Sequence, residues 1–120
     1  SGPSIRYNAE LDPMFSPAAM DALHDLYCPG QDPANPRLSP LFGNWDGLPP
    51  LLFLAGSTVM LLDDAVRAHD RARQAGVAAS IEVYVGLPHV WQMIAWLPEA
   101  KQATRQLAEF ILQNSVRRRA

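Results

Sequence analysis

His89 is the residue of this sequence best placed to do chemistry. It lies in Gly86-Leu87-Pro88-His89-Val90-Trp91, where glycine and proline end an alternating segment typical of a β-strand. In open α/β sheets, catalytic groups gather on loops at the carboxyl ends of the strands, and a neutral imidazole there can act as a general base. The alternative is a loop histidine packed on Trp91. The pattern alone leaves both interpretations open.

The other two histidines have less suggestive surroundings. His69 lies among charged residues in a helical segment and is expected to be exposed. His24 adjoins an apolar helical stripe and is expected to be a partly buried structural residue. Neither is predicted to be catalytic.

No nucleophile can be recognised in the sequence. The Gly-x-Ser-x-Gly pentapeptide that holds a serine on a strained strand-to-helix turn does not occur, and neither does a His-Gly-Gly oxyanion motif. Ser57, which follows Gly56, is interpreted as a turn or helix-capping residue, and Cys28 has no activating neighbour. Metal-ligand spacing and a glycine-rich phosphate loop are also lacking, so no metal and no cofactor are predicted.

Two strands and three helices are predicted to position His89. Fifteen residues without any period precede Ser16-Pro17, which predicts the start of a short helix, and the prolines between 29 and 50 indicate a turned surface connection. The apolar run 51–55 predicts a parallel strand buried on both faces, and 80–85 predicts a second strand. An amphipathic helix that ends at Gly76 joins the strands, and Pro98 opens the last helix.

This alternation is typical of an α/β layer structure. Two strands are too few for a stable parallel sheet, so the remaining strands are expected from a longer polypeptide or another chain. The start at Ser1-Gly2-Pro3 without methionine adds to the expectation of a fragment. Residues 1–120 are therefore interpreted as one partial domain, with loop and a short helix in 1–49 and two strands with their helices in 50–120.

Composition excludes several function classes. The chain has 120 residues, 48% of them hydrophobic, and a net charge of -2, so it is predicted to bind no nucleic acid. The basic cluster Arg117, Arg118 and Arg119 is interpreted as a solvated terminus. No apolar run is long enough to span a membrane, and the lone Cys28 makes a cytoplasmic location the default.

The sequence resembles the closing third of bacterial esterases of the hormone-sensitive-lipase-like group, which are α/β-hydrolases. The resemblance spans nearly the whole chain and is carried by these motifs: Asp12-Pro13-Met14, Ser39-Pro40-Leu41, Gly43, Leu48-Pro49-Pro50, Gly56, Leu61-Leu62-Asp63-Asp64, Ala75-Gly76-Val77 and Val83-Tyr84-Val85-Gly86-Leu87-Pro88-His89-Val90-Trp91. It implies the C-terminal strand-helix-strand-helix portion of an α/β-hydrolase parallel sheet.

The resemblance also implies roles for individual residues. His89 would be the general base of a serine, acid and histidine set. The family's acid stands four positions before the first aspartate of the Asp-Asp pair, where this sequence has Val59, so the carboxylate is absent. Asp63 is a candidate substitute, although a structural role at the helix start, with pairing to Arg67, is favoured. Trp91 is a candidate for lining the substrate pocket.

The function implied is that of the C-terminal portion of a serine carboxylesterase or lipase, with a small-molecule ester as substrate. Because the nucleophile is missing from the 120 residues, the chain by itself is predicted to be inactive. The alternative, favoured by Val59, is a non-catalytic α/β-hydrolase piece that acts in binding or dimerisation. Association with an N-terminal part or a homo-oligomer is the partner expectation.

Overall fold

The computed structural model describes residues 2–116, and the arginines at 117–119 lie outside them. Its elements are, in chain order, α1 (Ser4–Tyr7), α2 (Pro17–Tyr27), β1 (Leu51–Gly56), α3 (Leu62–Gln74), β2 (Ala79–Tyr84) and α4 (Pro98–Val116). Two short 3-10 turns, Pro40–Phe42 and Trp91–Met93, lie in the connections. Among residues 2–116, no helix has the length and hydropathy needed to cross a bilayer. The predicted strand-helix-strand-helix order is confirmed.

β1 and β2 form a parallel pair, with Leu51 opposite Ala79 and Gly56 opposite Tyr84. Parallel strands need a crossover connection, and α3 provides it. α3 packs against both strands, and its Ala72 is fully buried. Since parallel strands end at the same edge, the loops that follow Gly56 and Tyr84 meet there.

Local sequence signals fix the helix ends. The Ser16 hydroxyl accepts a hydrogen bond from the Ala19 N–H at 3.2 Å, with proline in the first helical position of α2. α3 starts with acidic residues and finishes with basic ones, in agreement with the helix dipole. Gly76 adopts φ +73°, a left-handed conformation that favours glycine after a helix.

Three details differ from the sequence-based expectations. Residues 51–54 are only half-buried, because β1 pairs with β2 alone within residues 2–116. Val85 lies beyond the end of β2 and is 88% exposed. The first fifteen residues contain a one-turn helix, α1, which bears directly on the site.

Candidate active site

His89 lies on the loop after β2, at the carboxyl edge of the sheet, as expected. The Phe15 ring packs edge-on against the imidazole, with 5.1 Å between ring centroids and an interplanar angle of 66°. The next residue, Val90, has φ +51°. This left-handed conformation is strained for a β-branched residue, and such strain clusters at functional sites.

A pocket of about 160 Å³ adjoins His89. Its walls come from the end of β1, the following loop, the start of α3 and the His89 segment. The lining residues are Leu54, Ala55, Gly56, Val59, Leu61, Leu62, Ala65, His89, Val90, Trp91 and Gln92. Val59, which is expected from the sequence to stand at the family's acid position, lines the same pocket as the histidine and makes that wall apolar.

The segment 57–63, here called the acid loop, is bonded directly to the histidine loop 85–90. The Gly86 N–H donates to the Ser57 hydroxyl at 2.9 Å, and the Thr58 hydroxyl donates to the Leu87 carbonyl at 3.0 Å. Ser57 thus acts as a link between loops, which agrees with its interpretation as a turn residue. These contacts fix the acid loop against the loop that carries His89.

Gly56 is where the two loops approach most closely. A Cβ at this position would lie 2.0 Å from the Leu87 carbonyl oxygen, so a side chain requires the backbone to move. We expect Gly56→Ala to lower the free energy of unfolding by about 1–3 kcal/mol. Gly43→Ala is the matched control, because its Cβ would lie 3.1 Å from the Pro40 carbonyl and calls for a smaller adjustment. Urea unfolding measures both, and equal effects would contradict the close approach.

Val59 itself is buried, with 4% of its surface exposed. Its carbonyl accepts a hydrogen bond from the Asn8 side-chain amide at 2.9 Å. The loop backbone at this position is thus held in part by a side chain of the N-terminal segment.

Both carboxylate oxygens of Asp63 are bonded to the N-terminal segment. Oδ2 accepts from the Ser4 N–H at 2.6 Å, and Oδ1 accepts from the Tyr7 hydroxyl at 3.1 Å. Desolvation and the hydrogen bond to Asp63 raise the pKa of Tyr7 above its ordinary value, which keeps this donor protonated. The contact expected between Arg67 and Asp63 is made with Asp64 instead, at 3.6 Å and three residues before Arg67 in α3. These bonds favour the structural role for Asp63.

Trp91 is 2% exposed and packs on Tyr84, with 4.9 Å between ring centroids. One side of it contributes to the wall of the His89 pocket. The Tyr84 hydroxyl bonds to Gln106 of α4, and desolvation, followed by the charge of Glu82, raises the pKa of Tyr84. Trp91 is therefore chiefly a core residue that also reaches the pocket.

The remaining histidines lie outside this pocket. His69 was expected to be exposed, but its side chain is 15% exposed and packs edge-on against Phe53 of β1, because α3 lies across the strand. His24 is half-buried on α2 beside Asp25, in agreement with its expected structural role.

A larger apolar cavity of about 640 Å³ lies next to the His89 pocket and shares Leu61 with it. It opens between α2, the Pro40–Phe42 turn and the start of α3. Met20, Leu23 and Tyr27 contribute its α2 wall. Leu61 separates this cavity from the His89 pocket, so an apolar part of a ligand bound in the cavity would be divided from the imidazole by Leu61.

Sequence reasoning missed the N-terminal contribution to the site. Ser4, Asn8 and Asp12 are the buried polar side chains among the described residues, and Phe15 contacts His89. No local signal could have found the buried three, because α1 ends at Tyr7 and their long-range partners lie between residues 57 and 63.

Comparisons with known proteins agree with this architecture. Residues 1–93 match a family model described as the alpha/beta hydrolase fold. An esterase of Acinetobacter venetianus is 43% identical over 109 residues, which cover 89% of this chain and 36% of that protein. The esterase LipU of Mycobacterium tuberculosis is 35% identical over 111 residues, covering 87% of this chain and 37% of LipU.

Solved structures show the same likeness. A crystal structure of an esterase from the bacterial hormone-sensitive lipase family superposes with a TM-score of 0.91 at 42% identity, over 95% of this chain and 39% of that one. An esterase/lipase from an uncultured bacterium gives 0.88 at 35% identity, over 95% and 38%. The chain thus spans little more than a third of the length of its relatives.

Proposed function

This chain belongs to the α/β-hydrolase fold family, and from that premise we propose that it is the histidine-bearing part of a carboxylic ester hydrolase of the bacterial hormone-sensitive-lipase group. One observation supports this more than any other. His89 and the residue at the family's acid position line one pocket where two parallel strands end. That juxtaposition is the one that a histidine and its orienting acid require.

In this proposal, the His89 imidazole accepts the proton of a serine hydroxyl as the serine attacks the ester carbonyl. It then returns the proton to the oxygen of the leaving alcohol. The serine and the oxyanion donors come from residues outside this sequence. The apolar cavity behind Leu61 accommodates the hydrocarbon part of a small-molecule ester.

Val59 limits the expected rate. The valine side chain accepts no hydrogen bond, so the imidazole has no orienting acid at this position and the imidazolium lacks a compensating charge. Asp63 is a poor substitute because Ser4 and Tyr7 occupy its oxygens. We therefore propose a weakly active hydrolase.

The test is a chimera in which this chain replaces its matching region in the Acinetobacter venetianus esterase. The chain alone is expected to leave p-nitrophenyl butyrate intact, because no nucleophile elbow occurs in it. The chimera is expected to hydrolyse the ester about 10³- to 10⁴-fold more slowly than its parent, as for serine hydrolases that lack the acid. Histidine-dependent turnover by the chain alone would contradict this assignment.

The second candidate is a non-catalytic α/β-hydrolase piece that serves in binding or dimerisation, and Val59 is the observation that favours it. A folded chimera that stays inactive even with a carboxylate at position 59 would support this candidate. Cytoplasmic location, bacterial origin, homo-oligomer formation and association with a separate N-terminal part all stay predictions from the sequence.

A further inference from the structure

The acid loop is bonded to a row of buried side chains that no catalytic scheme uses. Ser4, Asn8 and Asp12 follow one another at intervals of four and are 0%, 3% and 7% exposed. Burial of a polar group lowers the stability of the fold unless the group is hydrogen-bonded. The hydrogen-bond partners of these side chains therefore indicate their role. Within residues 2–116, every long-range hydrogen-bond partner of these side chains lies between residues 57 and 63.

The bonds reach the loop backbone on both sides of position 59. The Asn8 amide donates to the Ser57 and Val59 carbonyls, both at 2.9 Å. The Ser4 hydroxyl donates to the Met60 carbonyl at 2.6 Å and accepts from the Asp63 N–H at 3.0 Å. The loop backbone on either side of residue 59 is thereby held by side chains of the N-terminal segment.

Asp12 connects this loop to the imidazole. Its Oδ2 accepts from the Met60 N–H at 2.9 Å. Its Oδ1 accepts from the Met14 and Phe15 N–H groups at 2.9 and 3.1 Å, which fixes the turn that presents Phe15. Phe15 packs edge-on against His89. One buried carboxylate thus bonds the backbone beside position 59 and the residue that contacts the histidine.

We propose that Ser4, Asn8 and Asp12 form a polar brace of positioning residues, which sets the backbone of the acid loop and, through Phe15, the place of the His89 imidazole. The catalytic consequence rests on the proposed function, but the geometry of the brace does not. The brace touches no substrate. It sets the position of the His89 imidazole relative to the backbone at position 59, where a carboxylate would have to lie in order to accept a hydrogen bond from the imidazole.

Asp12→Asn tests the brace in the chimera, where the sheet is complete, because an amide cannot accept bonds on both of its ends. We expect the Met60 amide hydrogen to exchange about 10- to 100-fold faster, as for loss of a hydrogen bond to a charged group. The His89 ring protons should also shift in the NMR spectrum, while amides in α3 and β2 keep their protection. Asp32→Asn is the matched control, since the carboxylate of exposed Asp32 accepts a local bond from the Ala34 N–H and reaches no distant part of residues 2–116.

Phe15→Leu tests the contact with His89 separately from the bond between Asp12 and Met60. The result can be read even if the Asp12→Asn variant does not fold. Phe15→Leu should shift the His89 ring protons by removing the aromatic ring, and leave exchange at Met60 unchanged. Unchanged His89 signals in Phe15→Leu would overturn the link to the histidine. If the Met60 amide hydrogen exchanges no faster in Asp12→Asn than in the Asp32→Asn control, the link between Asp12 and the acid loop would be overturned.

The catalytic role of the brace is tested in the chimera that carries a carboxylate at position 59. There Asp12→Asn should lower kcat at unchanged KM, because misplacement of the base affects the reaction and not ester binding. Equal loss in Asp32→Asn would overturn this role. If the NMR and exchange changes occur while no chimera hydrolyses ester, the brace stands and the proposed function fails.

Discussion

A carboxylate at position 59 is expected to raise ester hydrolysis by the chimera by about 10³- to 10⁴-fold in kcat, the factor that the acid contributes in serine hydrolases. Val59 lines the His89 pocket, and its loop is set by backbone bonds from Asn8 and its neighbours. A replacement side chain therefore starts from the position where the family has its acid. The side chains of Val59→Glu and Val59→Asp differ in length. The gain in kcat is taken from the more active of the two variants.

Val59→Gln is the control for this experiment. It has nearly the shape of Val59→Glu and accepts a hydrogen bond, but it lacks the charge that stabilises an imidazolium. Initial rates with p-nitrophenyl butyrate, corrected for the folded fraction from circular dichroism, compare the variants. If Val59→Glu and Val59→Asp hydrolyse the ester no faster than Val59→Gln, a carboxylate at this position does not act as the acid. That result would favour the non-catalytic alternative.

The effect of His89→Ala is expected to depend on residue 59. In the Val59→Glu chimera, the substitution should lower kcat by about 10⁶-fold, because a triad acts as a unit. In the chimera that retains Val59, the loss should be only about 10²-fold, since most of the triad's contribution is already missing. The four variants form a double-mutant cycle whose coupling measures the pairing of the two positions.

His69→Ala serves as the control in this cycle, because His69 packs on Phe53 of β1 and does not line the pocket. It should leave the dependence of kcat on residue 59 unchanged. Additive effects of His89→Ala and Val59→Glu would show that the two positions do not act together. The proposed pairing of residue 59 with His89 would then be wrong.

Prediction from sequence succeeded where one local signal determines the structure. The apolar run before Gly56, the cap at Ser16 and the proline at position 98 each predict an element with little help from distant residues. The place of His89 followed from the sheet topology, because a loop after a parallel strand must lie at the carboxyl edge.

Prediction failed where long-range packing decides. The burial predicted for residues 51–54 belongs to a completed sheet, and within residues 2–116 β1 pairs with β2 alone, so it stays a prediction. His69 was misjudged because the charged neighbours in its segment face water while the imidazole itself faces Phe53. The role of Asp12 depends on Met60, 48 residues away in the sequence, so no local pattern could show it.

The polar brace has an evolutionary consequence. The bonds of the brace reach the main chain of the acid loop, so they do not depend on which side chain stands at position 59. Every valine codon becomes an aspartate or glutamate codon by a change of its second nucleotide. Exchange between valine and a carboxylate at this position is therefore a single-nucleotide step, and the brace is present in the chain that carries valine.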